Sequence, residues 1–221
     1  MTIEVERSVV RLTMAEFEGL AAGDLPEDAR LRVLGVPGMP EALAGVREPL
    51  LVLQVDLVVA AGGRTHFGWV GAEALALLLP VDDTVWQLLA LPVDQLAVSL
   101  ARIVGLGPGR GGPRSPRDLA ANPFDAFFSA DRQIRAAALE EHGVDVAWTL
   151  GVRSQDEEWL MAAAAGAEGP WLCVPAPGPA PGDGDAVPSG GSMAMVAEPV
   201  SATEIYRRFT TIVPGLLTPS S

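Results

Sequence analysis

Two runs of strict alternation bound what this chain can become. Val144, Val146, Trp148, Leu150 and Val152 recur at every second position, with Asp145, Thr149 and Arg153 between them. A period of two puts successive side chains on opposite faces, so 144–153 reads as a strand with one buried face. Leu51, Leu53, Val55, Leu57 and Val59 repeat the pattern around Gln54 and Asp56. Gly62-Gly63 follows as a tight hairpin. Thr65, Phe67 and Trp69 then line one face of the return strand, and Arg64 and His66 the other, polar face. Residues 85–91, 171–174 and 193–197 read as further strands. Residues 159–165 suit a strand pairing with 171–174, although Ser154-Gln-Asp-Glu ahead of them is also a helix start.

Helix starts are explicit. Thr13-Met-Ala-Glu16 is a capping box, with Leu12 placed to staple against Phe17. Asn122-Pro123 sets an N-cap before a first-turn proline, and Gly143 stands where a left-handed C-cap belongs. Residues 123–142 are therefore expected as one helix, with Phe127, Ala130, Ile134, Ala137 and Ala138 as its core stripe. Residues 107–118 and 175–191 are dominated by Gly, Pro and small or charged residues, and read as a linker and a mobile loop.

A hydrophobic fraction of 49% over 221 residues supplies a sizeable core. No apolar run is long enough to span a bilayer, and the start MTIEVERSVV lacks the basic opening of a signal peptide, so a cytoplasmic location is expected. A net charge of -13 argues against nucleic acid and anionic membrane surfaces as partners. All 15 basic residues are arginine, the coding bias of a GC-rich bacterial genome. Cys173 is the single cysteine, so no internal disulfide forms.

One pattern occurs twice. A strand runs into Pro92-Val93-Asp94, and another into Pro199-Val200-Ser201, each followed by a helix that ends near Gly or Pro. Strand–turn–helix junctions often look like this, and a duplicated unit over 50–106 and 144–217 is the alternative. The order and spacing of these pieces resemble the EspG proteins of actinobacterial type VII (ESX) secretion. The resemblance rests on Leu12–Phe17 as an opening helix. It continues through the strand pair in 50–70 leading to Trp86 and the Pro92-led helix. It ends on Ala165-Gly166, Trp171–Val174 and the last strand and helix. It implies a cytosolic chaperone that binds the helical tips of PE–PPE-type substrates. It also implies an α+β fold of antiparallel β-sheets with packed helices, two similar halves in quasi-two-fold arrangement. The halves are 1–106 and 123–221, joined by a linker at 107–122, together one compact domain. Residues 24–49, rich in Pro and Gly, stand in reduced form where family members carry a helical segment.

Catalytic signatures are missing. A nucleophile needs an oriented base, and the two histidines read as structural: His66 on a polar strand face, His142 at a helix C-terminus. Cys173 lies between Leu172 and Val174 as a small core residue. Gly107-Pro-Gly-Arg-Gly-Gly follows a helix and lacks the Lys-Ser/Thr of a phosphate loop. Asp183-Gly-Asp185 lacks a calcium-loop glutamate. The acidic pairs Glu140-Glu141 and Glu157-Glu158 read as solvated. No catalytic, cofactor-binding or metal-binding residue is assigned. Phe67, Trp69 and Trp159 are the candidate partner contacts, since aromatic anchors dominate interfaces. The expected function is a chaperone or adaptor for a helical protein partner. The alternatives are an immunity-type or regulatory binding module, and a hydrolase or transferase with an unrecognised site.

Overall fold

A computed structural model describes residues 4–6, 9–107, 117–119, 123–175 and 195–217. The alternating runs become the centre of an antiparallel sheet. Leu51–Val59 (β3) pairs with Val146–Arg153 (β8), placing Val55 opposite Leu150 and Leu57 opposite Trp148. Glu4–Glu6 (β1), Val9–Leu12 (β2), Gly62–Val70 (β4), Ala74–Pro80 (β5) and Trp86–Pro92 (β6) extend it on the β3 side. Arg117–Leu119 (β7), Glu158–Gly166 (β9), Gly169–Pro175 (β10) and Met195–Pro199 (β11) extend it on the β8 side. Among the described residues the order is β1-β2-β6-β5-β4-β3-β8-β9-β10-β11-β7, 11 strands in all. Outward from the central pair, each side is a four-strand meander followed by strands that precede it in the chain, β2 and β1 on one side and β7 on the other.

The helices take both faces. On one face, Leu96–Ile103 (α4), entered through a single 3-10 turn, and Ala202–Leu217 (α7) lie over the central strands. Leu96, Leu100, Ile205, Phe209 and Ile212 bury there against Leu51, Leu53, Val55, Trp148, Leu150 and Val152. On the opposite face, Met14–Ala22 (α1), Glu27–Leu34 (α2) and Met39–Arg47 (α3) cover β2, β6 and β5, with Phe17, Leu20, Val33, Met39 and Leu43 against Leu12, Ala76, Leu78 and Leu88. Pro123–Phe127 (α5) and Arg132–Glu141 (α6) cover the other end of that face, with Phe127 and Leu139 against Val58, Ala147 and Ala164.

Three of the expected caps form, that at Asp94 does not, and Asn122 lies outside the described residues. Thr13 accepts from the Glu16 amide while Glu16 accepts from the Thr13 amide, completing the capping box. Gly143 is left-handed at φ 60°. Ser201 Oγ accepts from the Glu204 amide, whereas the α4 junction has no side-chain cap.

Several expectations change. The single helix over 123–142 is two, broken at 128–131, because Asp131 caps a new helix through the Gln133 and Ile134 amides. The break resets the helical phase: Arg135 and Leu139 turn inward, while Ile134 is 52% exposed and Ala130 and Ala137 face solvent. The hairpin turn is Ala60-Ala61, since Val59 pairs with Gly62 and both glycines belong to β4. The segment 24–49 holds two helices, and 154–166 resolves in favour of a strand. Part of the expected linker, Arg117–Leu119, pairs with β11. Residues 108–116 and 176–194, which include Gly109–Gly112 and Asp183–Asp185, lie outside the described residues.

Candidate functional site

Among the described residues, nothing covers the middle of the sheet on the α1–α3/α5–α6 face, between its two groups of helices. The floor is built by alternation alone: Val52, Gln54 and Asp56 of β3, Thr149, Gly151 and Arg153 of β8, and Glu158 and Leu160 of β9 point to one side. None of these side chains belongs to a packed core. They line a groove of about 260 Å³. A second hollow of about 570 Å³ adjoins it across Gln54, walled by Met14, Arg64, Thr65, Phe67, Asp82, Asp83 and Trp86.

Two features make a low apolar spot in an otherwise polar floor. Gly151 sits between Gln54 and Leu160 in the ladder, and a Cβ built there meets nothing within 4 Å. Leu160 is 70% exposed, although it lies mid-strand in a sheet. Polar groups are fixed around them. Asp56 accepts from Thr65 Oγ1 at 2.6 Å and from Gln54 Nε2 at 2.8 Å, so its carboxylate is held flat against the strands. At the β5–β6 turn, Asp82 Oδ1 accepts from the Thr84 and Val85 amides and the Thr84 hydroxyl, which hold its carboxyl below the usual range.

The aromatic candidates separate. Phe67 opens onto the second hollow, its ring 6.0 Å from Trp86 and 6.2 Å from Trp69. Trp69 is half-buried behind it, 5.2 Å from Phe17 of α1. Trp159 is cross-strand from Val152 and packs on the α4/α7 face, away from the groove. Alternation around Trp159 therefore points to its neighbours, Glu158, read from sequence as a solvated acid, and Leu160, which the sequence reading did not single out. A lone leucine among Glu158 and the small residues of one face was the available signal.

The groups considered for catalysis stay apart. Cys173 is buried beside Trp171 and Ala197, and burial pushes its thiol up to about 12, so at neutral pH it is a protonated core residue. His66 lies opposite Val55 on the α4/α7 side, half-buried, with Nδ1 lacking a hydrogen-bond partner, and not on a solvated polar face. Among the described residues no group of three His, Cys, Asp or Glu is placed to hold a metal ion, and no helix is long and apolar enough to cross a membrane.

No family model matches the chain, and no curated protein matches it in sequence. A solved structure does match in fold: the Mycobacterium tuberculosis type VII secretion system chaperone EspG5 in complex with the PE25-PPE41 dimer. The likeness spans 96% of this chain and 98% of that one, with a TM-score of 0.54 and 10% identity. At that identity it establishes an EspG-like α+β fold.

Proposed function

We propose that this chain is a cytoplasmic, non-enzymatic chaperone or adaptor that holds a helical protein partner of the PE–PPE type in the open groove of its central sheet. The observation that carries the reading is the uncovered floor itself. Leu160, 70% exposed, and the Cβ-free Gly151 make a low apolar spot among the polar side chains of the floor, and burying a leucine there under a partner would contribute about 1.5–3 kcal/mol. The fold likeness supports it, since the protein of the matching structure is a chaperone holding a protein dimer. Phe67 is the aromatic anchor at the groove; Trp69 supports it from behind, and Trp159 is a candidate contact on the opposite face.

The test is coexpression with PE–PPE-type pairs, scored by soluble yield and co-elution, beside two variants. Gly151→Val fills the groove without straining the chain. Its Cβ meets nothing, and a β-branched residue suits a strand better than glycine, which costs about 0.5–1 kcal/mol there. Capture is expected to fail while the melting temperature holds or rises. Phe67→Ala is expected to weaken binding by about 2 kcal/mol, roughly thirtyfold. Unchanged capture by Gly151→Val rejects the groove. Turnover in a broad esterase or transferase screen, with no partner captured, rejects the chaperone.

A further inference from the structure

The walls of the groove are charged unevenly, and the unevenness selects an occupant. Its two hollows present the carboxylates of Asp56, Asp82, Asp83 and Glu158 against the guanidinium group of Arg153, while Arg64 lies on the His66 face of β4, away from the floor. Asp56 already accepts two hydrogen bonds from its own sheet. Asp83 and Glu158, with the adjoining Asp156 and Glu157, form no ion pair within the described protein. These acids occupy two places. Asp82 and Asp83 sit on the β5–β6 turn, beyond the Thr65 end of β4. Asp156, Glu157 and Glu158 sit on the β8–β9 turn, beyond the Val52 end of β3. Because neighbouring strands run antiparallel, the two clusters stand at diagonally opposite corners of the floor.

The span between corners has a definite size. From the β5–β6 turn to the β8–β9 turn is four strand spacings, about 19 Å. From the row of Val52 to the row of Asp56 is about 13 Å along the strand. The diagonal is therefore at least ~23 Å, the length of a helix of ~15 residues. A second copy of this chain is disfavoured as occupant, since each copy carries a net charge of -13. We infer that the groove takes a single partner helix of this length, apolar at its middle over Gly151 and Leu160, with Arg or Lys at both ends facing the two acidic corners. The inference rests on the groove being the docking surface. Rim charges of this kind act chiefly on association rate and on the rejection of like-charged partners.

The test uses the full chain and two labelled, stapled amphipathic helices of about 15 residues that share a Leu/Ala face, one ended with Lys and one with Glu. The Lys-ended helix is expected to bind about tenfold tighter at low salt. The preference should collapse towards unity in a protein combining Asp82→Asn, Asp83→Asn, Asp156→Asn, Glu157→Gln and Glu158→Gln. Gly151→Val should abolish binding of both helices. Equal binding of the two helices overturns the inference, and so does a Lys preference that survives Gly151→Val, since diffuse attraction then suffices. A PE–PPE pair separates the two readings. Binding that Gly151→Val blocks, with an on-rate and salt dependence that neutralising the five carboxylates leaves unchanged, sinks the basic-ended helix alone. Failure of the protein to bind either that pair or either helix sinks the groove itself.

Discussion

His66 gives the fold a pH dependence that can be isolated at one residue. Burial, and then the Arg64 guanidinium, push its imidazole below the ordinary 6.5, against a smaller upward pull from Asp56. The folded state therefore holds this proton less readily than the unfolded chain. In the interval between the folded and unfolded values the unfolded chain binds more protons, so stability rises with pH there. The contribution is complete above about 6.5, is lost as pH falls through that value, and stops changing below the folded value. Melting temperatures of the wild type are expected to fall between about pH 7.5 and pH 5.5 more steeply than those of His66→Gln, which has nothing to titrate there. Parallel slopes for the two proteins would mean that His66 titrates alike folded and unfolded. The residue was misjudged from sequence for a local reason. Arg64 and His66 flank Thr65 and look like a polar face, but β3 sets Val55 opposite His66 and so turns that face towards the helix-covered core.

Elements meet through glycine in two places, and each has a measurable consequence. In α3, a Cβ at Gly45 would lie 2.9 Å from the Cα and N of Gly71, just past β4. At the end of β9, a Cβ at Gly166 would overlap the carbonyl oxygen of Gly143, the residue that closes α6. Both contacts are to backbone, which cannot rotate aside. Gly45→Ala and Gly166→Ala are each expected to cost about 1–3 kcal/mol in urea unfolding, whereas Gly151→Ala is expected to cost nothing. Equal midpoints for all three would show that the helices slide freely on the sheet. The strand elements were legible because alternation over nine or so residues survives any tertiary context, as in β3 and β8. β5, Ala74–Pro80, was not, since both its faces are covered and Ala-Leu-Ala-Leu-Leu-Leu carries no period. The α5–α6 break was missed because Asp131 lies inside a run that looks helical on both sides, and only its hydrogen bonds reveal it as a cap. The groove was illegible for a different reason. It is defined by where the described helices leave the sheet bare, and sequence periodicity reports only what each strand offers.

At the scale of the molecule, the two sides of the sheet correspond in order and spacing. One constant shift along the chain carries Leu51 to Val146, Gly71 to Gly166 and Ala74 to Gly169, and each meander then leads into a helix of the pair α4 and α7. We propose on this basis that residues 50–106 and 144–217 are similar halves about an axis near the Val55–Leu150 pair, for which superposing them is the check. Such halves do not fold separately in this reading, because one core belongs to both. Leu51, Leu75, Leu96 and Leu100 from the first and Trp148, Leu150, Ile205 and Phe209 from the second bury in the same cluster. Phe209 is 1% exposed with its ring 5.8 Å from Trp148, directly on the face that β3 shares with β8. Phe209→Ala is expected to cost about 3–5 kcal/mol through the cavity it leaves, a fall in melting temperature on the order of 10 °C for a chain of this length. The decisive feature is the shape of the loss. With one shared core, far-ultraviolet and near-ultraviolet circular dichroism should follow a single transition that moves as a unit. A biphasic melt in which only the later-chain signal shifts would mean that each half holds its own core, and that the β3–β8 ladder joins two independently stable domains.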